Sequence, residues 1–270
     1  MPEQPAPFVL SAPAFLRSHP GVDSFGSTTR EDGWVGTTDV PQVRAGEVHV
    51  WQVRIPAASA AADAHLLSSE ERARANAFRF ERDRARYCTA RAELRRLLGA
   101  QLSTSPGALT FRTGPADKPY LVEADPSGLQ FNVSHSHEVA LIALARGREV
   151  GVDVEYGRAN IDTVDIAERF FTPEEATEVR RAIGLARDRV FLACWTRKEA
   201  VMKALGLGLQ LAPTSFHVGA QLPLVASQLT VHHERQAQAV TLHPVPEIAG
   251  YGAALAVCGH NPVTLRFWRR

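Results

Sequence analysis

A strand with an acid at every second position, followed by a helix with an acid and a cation one turn apart, constrains this chain more than any other feature. Val150, Val152 and Val154 alternate with Gly151, Asp153 and Glu155. Side chains two apart on a strand share a face, so Asp153 and Glu155 project together. Downstream, Val190, Phe191, Cys194, Trp195 and Met202 recur at roughly helical spacing. Glu199 and Lys203 lie four apart on that helix and share one side of it. Taken singly, the first segment reads as a solvated strand edge and the second as a surface ion pair. If the helix lies against the strand, three carboxylates and a lysine converge on one small volume. Hard oxygen ligands of this kind suit Mg2+, with Mn2+ as the alternative ion.

The rest of the composition narrows the class. A chain of 270 residues, 45% hydrophobic and 22% charged, can bury a substantial core in one large or two small domains without disulfides. A net charge of +1 argues against bulk electrostatic binding to nucleic acid or membrane. No apolar run is long enough to span a bilayer, and the proline-rich N-terminus lacks the layout of a signal peptide. Cys88, Cys194 and Cys258 are widely spaced and odd in number, which fits free thiols in a reducing compartment. The cytoplasm is the expected location and a monomer the expected state. The only lysines are Lys118, Lys198 and Lys203. In an arginine-rich chain, those positions read as places that need a compact ammonium.

In order along the chain, residues 1–46 lack periodicity and read as an extended arm. Residues 47–156 form a first half and 157–270 a second. The first half opens with a strand at Glu47–Ile55. Ser68 and Glu71 then have capping-box spacing ahead of a helical region that reaches Leu102 and breaks near Phe80. Strands follow at Leu109–Arg112, Pro119–Val122 and Leu129–Val133. A turn is expected over Ser134–His137 and a further strand at Val139–Ala145. The second half begins with a helix over Asp162–Phe171. Thr172 and Pro173 are an N-cap and first helical residue. The Trp195 helix ends near Gly206 and Gly208. Strands are expected at Ser215–Val218, Leu229–His233, Ala239–Val245, Tyr251–Cys258 and Val263–Trp268. The predicted fold is α+β: two similar, pseudo-symmetric halves, each with helices on a mainly antiparallel sheet, and the site at the seam between them.

Gly151-Val152-Asp153-Val154-Glu155 followed by Trp195-Thr196-Arg197-Lys198-Glu199-Ala200-Val201-Met202-Lys203 resembles the paired signature of the 4'-phosphopantetheinyl transferases. Length and the N-terminal half resemble their larger, surfactin-type (Sfp-like) monomeric class. Asp117-Lys118-Pro119, Phe131-Asn132-Val133-Ser134-His135-Ser136 and Arg169-Phe170-Phe171-Thr172-Pro173-Glu174-Glu175 extend the likeness. The resemblance implies transfer of phosphopantetheine from coenzyme A to a serine of an apo acyl or peptidyl carrier protein, with release of adenosine 3',5'-bisphosphate. It implies Mg2+ held by Asp153, Glu155 and Glu199 against the pyrophosphate, with Lys203 and Lys198 beside it. Glu199 is the first choice for the base that takes the serine proton, and Glu175 the second. For the 3'-phosphate of coenzyme A it points to Lys118, Ser134, His135, Arg86 and Arg74. Two positions depart from the pattern: Glu71 stands where the archetype has lysine, and Asp117 replaces the glycine before Lys118.

Two rivals remain at this stage. Clustered acids with a lysine also serve metal-dependent nucleases, although the near-neutral charge gives little support. A non-catalytic carrier-protein binder of the same fold would be expected to lose one of the three acids, and this chain keeps all of them. A carrier would dock between Glu155 and Glu175 and on the N-terminal half of the Trp195 helix, where Arg158, Ile161, Val164, Ile166 and Arg169 mix apolar and basic character.

Overall fold

The computed structural model describes residues 33–55, 64–114, 116, 118–122, 128–157, 161–222 and 224–270. Asp117, Arg158 and residues 1–32 of the expected arm lie outside the described residues. The strands are β1 (Val35–Gly36), β2 (Glu47–Arg54), β3 (Phe111–Thr113), β4 (Pro119–Leu121), β5 (Leu129–Ser136), β6 (Val139–Arg146), β7 (Val150–Tyr156), β8 (Ser227–His233), β9 (Gln236–His243), β10 (Tyr251–Cys258) and β11 (Thr264–Arg269). The helices are α1 (Ser69–Asn76), α2 (Glu81–Leu102), α3 (Thr163–Phe170), α4 (Pro173–Arg181) and α5 (Leu185–Leu205). The molecule is a mixture of helices and mainly antiparallel sheets, as expected. One sheet has the order β1-β11-β2-β6-β5 and a second the order β7-β10-β9-β8, while β3 and β4 pair by themselves.

The halves drawn from sequence order exchange strands. β11, expected in the second half, lies between β1 and β2 in the first sheet and runs parallel to both. β7, counted with the first half, instead opens the second sheet beside β10. Its alternation explains why: Val150, Val152 and Val154 pack toward the first sheet, against Val48, Val50 and Leu141. Its other face carries Gly151 and Asp153 toward α5. Residues 33–46, expected as part of the arm, contribute β1 and bury Trp34 and Val43 in the core.

α2 covers the outer face of the first sheet through Leu94, Leu97 and Leu98, which meet Trp51, Ile142 and Phe131. α5 covers the second sheet through Ala200, Val201 and Ala204, which meet Val240, Ala254 and Ala256. The two sheets pack on each other between these helices.

Two local expectations are corrected. Ser134–Ser136 continue β5, paired with Leu141, Ala140 and Val139, and the turn falls on His137, which adopts φ 51°. The segment expected as a strand at Ser215–Val218 is a 3-10 turn at Pro213–Ser215 followed by irregular chain. Its amides are not free for a ladder, because Val218 and Gly219 donate to the Glu175 carboxylate at 2.7 and 3.2 Å.

Candidate active site

The acids of β7 and the charged pair of α5 do meet. Lys203 Nζ lies 2.6 Å from Asp153 Oδ1 and donates to Ser134 Oγ at 3.1 Å. Ser134 Oγ in turn donates to Asp153 Oδ1 at 2.7 Å. Both ionic side chains are withdrawn from water, Asp153 at 2% and Lys203 at 9% exposure. Asp153 Oδ2 is buried and has no hydrogen-bond partner among the described residues. Glu155 accepts from Ser136 Oγ at 2.8 Å.

The electrostatics of this group are those of crowded acids around one cation. Burial first, then the Asp153 charge, raises the Glu155 carboxyl to about 8. Burial likewise raises Glu199 to about 7, with Lys203 opposing and Asp153 adding to the rise. Burial works against the Lys203 ammonium, but Asp153, Glu199 and Glu155 outweigh it and hold its pKa above the usual lysine value.

Among the described residues, no three His, Cys, Asp or Glu side chains form a ready-made metal cage. The donor set still suits Mg2+. It offers a buried Asp oxygen with no partner among the described residues, beside two carboxyls whose ionisation is suppressed by burial and by neighbouring negative charge. Mg2+ retains several waters, so it does not require an all-protein cage.

The expected phosphate-binding residues divide. His135 sits among cations: burial first, then Lys203 and Arg86, push its imidazole down to about 4. Arg86 itself reaches Asp83 at 2.9 Å, and Arg74 lies over the Tyr87 ring at 5.7 Å. Lys118 pairs with Glu149 at 2.6 Å and donates to Val150 O at 3.4 Å. Glu71, the departure on α1, is buried and tied inward: it closes the capping box with Ser68 and binds Arg91 and Arg95. Burial alone would raise its carboxyl, but the two guanidiniums more than offset this and hold it low.

Lys198 and Glu175, expected beside the pyrophosphate and as the second-choice base, are brought together with each other. They form a closed ion pair at 2.8 Å, with exposures of 2% and 0%. Lys198 spends its remaining donors on the carbonyls of Pro213 and Phe216. Glu175 accepts from the amides of Thr172, Val218 and Gly219. Lys198 precedes Glu199 by one residue, roughly 100° around the helix, and so leaves on another side. The pair fastens the 213–219 segment to α4 and α5.

Sequence reasoning assigned no role to Gly151, Asn132 or Ser136. A Cβ at Gly151 would stand 2.1 Å from Ala200 O and 2.3 Å from Ala204 N, so the glycine lets α5 settle directly on β7. Asn132 and Ser136 were visible as polar residues at every second position, the same period as Asp153 and Glu155.

The depressed His135 pKa has a consequence for stability. A histidine whose folded value is about 4, against 6.5 for an unperturbed side chain, is kept neutral by the fold. Its contribution is complete above the unfolded value and is lost as pH falls from 6.5 through 4. The urea midpoint should fall across that window, by at most about 3 kcal/mol of stability from this group. His135→Gln should flatten the profile; an identical slope in both proteins would remove the assignment.

Comparison with known proteins bears on the family. Residues 149–256 match the model of the 4'-phosphopantetheinyl transferase superfamily, and residues 51–146 match a 4'-phosphopantetheinyl transferase N-terminal model. The chain is 39% identical over 166 residues to the 4'-phosphopantetheinyl transferase HetI of Nostoc sp., an alignment covering 60% of this chain and 70% of that protein. It is 32% identical over 154 residues to a phosphopantetheinyl transferase of Thraustochytrium sp., covering 53% of this chain and 54% of that one. Against the 4'-phosphopantetheinyl transferase Sfp of Bacillus subtilis it is 27% identical over 158 residues, covering 57% and 66%. The chain belongs to the 4'-phosphopantetheinyl transferase family.

Proposed function

We propose that this enzyme transfers the 4'-phosphopantetheine of coenzyme A to a serine of an apo acyl or peptidyl carrier domain, with Mg2+, releasing adenosine 3',5'-bisphosphate. The observation that carries the reading is the buried Lys203–Asp153–Ser134 group, with Asp153 Oδ2 unpartnered and Glu155 and Glu199 beside it. Asp153, Glu155 and Glu199 would hold the ion. When bound, Mg2+ would supply positive charge that neutralises the pyrophosphate and eases departure of adenosine 3',5'-bisphosphate.

The side chains do the rest. Lys203 brings a second positive charge to the pyrophosphate oxygens from a site where low dielectric strengthens it. The carrier serine oxygen forms a bond to the phosphorus that bears pantetheine. The bond from that phosphorus to the bridging oxygen breaks, and the electron pair leaves with adenosine 3',5'-bisphosphate. The serine proton passes to Glu199, directly or through a water, as general base. Transfer of this kind is largely positioning and charge stabilisation.

A pocket opens beside Glu155, between Tyr156, Ile161, Thr163, Phe191, Leu192 and Trp195. The buried Trp195 indole N–H has no partner there among the described residues. An amide-containing chain such as pantetheine would fit this lining. His135 and Arg86 supply the positive surroundings for the 3'-phosphate. The carrier is taken to dock over the mouth, with exposed Arg169 of α3 facing its acidic surface. The proposal takes the enzyme as a cytoplasmic monomer whose site lies at the seam of the two sheets. None of the described helices is long and apolar enough to cross a membrane.

Intact-mass measurement of an apo carrier incubated with enzyme, coenzyme A and Mg2+ tests the reading. A gain of one phosphopantetheine on a serine, lost when the ion is chelated, is the expected result. Unmodified carriers from fatty-acid, polyketide and peptide synthesis alike would reject it.

A further inference from the structure

β5 and β7 are edge strands of different sheets and share no ladder. An unpaired row of buried amides on β7 would cost stability at every second residue. The side chains of β5 take the place of the missing neighbour. Val152 N donates to Asn132 Oδ1 at 2.9 Å, Val154 N to Ser134 Oγ at 3.4 Å, and Tyr156 N to Ser136 Oγ at 3.1 Å. Donor and acceptor lie twenty residues apart in each case, so the three contacts form a register.

A hydroxyl that accepts can still donate. Ser134 gives its proton to Asp153, and Ser136 gives its proton to Glu155. Each serine therefore does two things at once: it spaces the strands and orients the carboxylate that precedes the amide it binds. Asn132 lacks a carboxylate opposite, because the residue before Val152 is Gly151.

We propose that Ser136 is a positioning residue for the transferase site, tying the β5 edge to β7 while it fixes the Glu155 carboxylate toward the volume shared with Asp153 and Glu199. This rests on the reading of those acids as the ion site.

The test is an electron paramagnetic resonance titration with Mn2+, done on the full chain without coenzyme A or carrier. Ser136→Ala should bind Mn2+ about 10-fold more weakly, the usual cost of losing a hydrogen bond behind a metal ligand. Its kcat should fall by a similar factor while the Michaelis constant for coenzyme A changes little, and the thermal midpoint should drop modestly because the Tyr156 amide loses its acceptor. Ser136→Thr keeps the hydroxyl and should bind Mn2+ like the wild type.

Unchanged Mn2+ affinity in Ser136→Ala overturns the proposal, as does an equal loss in Ser136→Thr. A lowered thermal midpoint with wild-type Mn2+ affinity in the folded protein also overturns it, since the role would then be structural. Should Ser136→Ala not fold, Ser136→Cys replaces it, because a thiol is only a weak donor. Weaker binding by the cysteine variant than by threonine supports the proposal, and equal binding overturns it. Wild-type protein that binds no Mn2+ removes the reading of the site and this proposal together. Binding abolished by Asp153→Asn but untouched by Ser136→Ala removes this proposal alone.

Discussion

Gly151→Ala should lower the turnover of phosphopantetheine transfer by about 100-fold and reduce stability by about 1–3 kcal/mol. The added methyl would stand 2.1 Å from the carbonyl oxygen of Ala200 and 2.3 Å from the amide of Ala204. Both are helix backbone, so no rotamer can relieve the overlap, and α5 must lift from β7. Lys203 and Glu199 ride on that helix. A shift of about 1 Å is enough to break the 2.6 Å contact between Lys203 and Asp153. Gly36→Ala is the control, because a Cβ there meets nothing within 4 Å. Steady-state rates and thermal melts on the two variants decide the matter. Normal turnover in Gly151→Ala would mean that the seating of α5 does not set the site.

Asp153→Asn, Glu199→Gln and Glu155→Gln should each reduce transfer by on the order of 100-fold or more, with the fold retained. The amides preserve shape and remove charge, so the loss reports electrostatics rather than packing. Asp153 is expected to matter most. It is the nearest partner of the Lys203 ammonium, and stripping one member from a buried pair leaves an uncompensated charge. Its second oxygen is also the one with no other partner. Rates measured at limiting Mg2+ provide the check. Any of these variants that turns over like the wild type takes its residue out of the ion site.

The site was more legible in the sequence than the fold around it. The period of two in β7 and the period of four on α5 are local geometric rules, and the expected meeting of Lys203 with Asp153, with Glu199 near, follows from them. The capping signals held for the same reason. Thr172-Pro173-Glu174-Glu175 was read as a helix start, and Glu175 does close a capping box with Thr172. That same spacing gives Glu175 a structural use in the cap.

What escaped was non-local. Strand order depends on which edges meet in space, and nothing in the run Thr264–Arg269 says that it pairs with Glu47–Gln52 rather than with its own neighbours. Ser134-His135-Ser136 looked like a turn because polar residues favour turns. It is a strand because those hydroxyls have amides and carboxylates of β7 to bind.

The position of β11 bears on how the molecule is made. The first sheet has a place between β1 and β2 that is filled only by residues 264–269. On the ribosome, everything from β2 to β6 emerges long before that strand does, and β2 must wait with one edge unpaired. Completion of the N-terminal sheet is therefore postponed until synthesis of the described chain is nearly over. The closing step joins segments more than two hundred residues apart and carries the slow rate of a long-range contact.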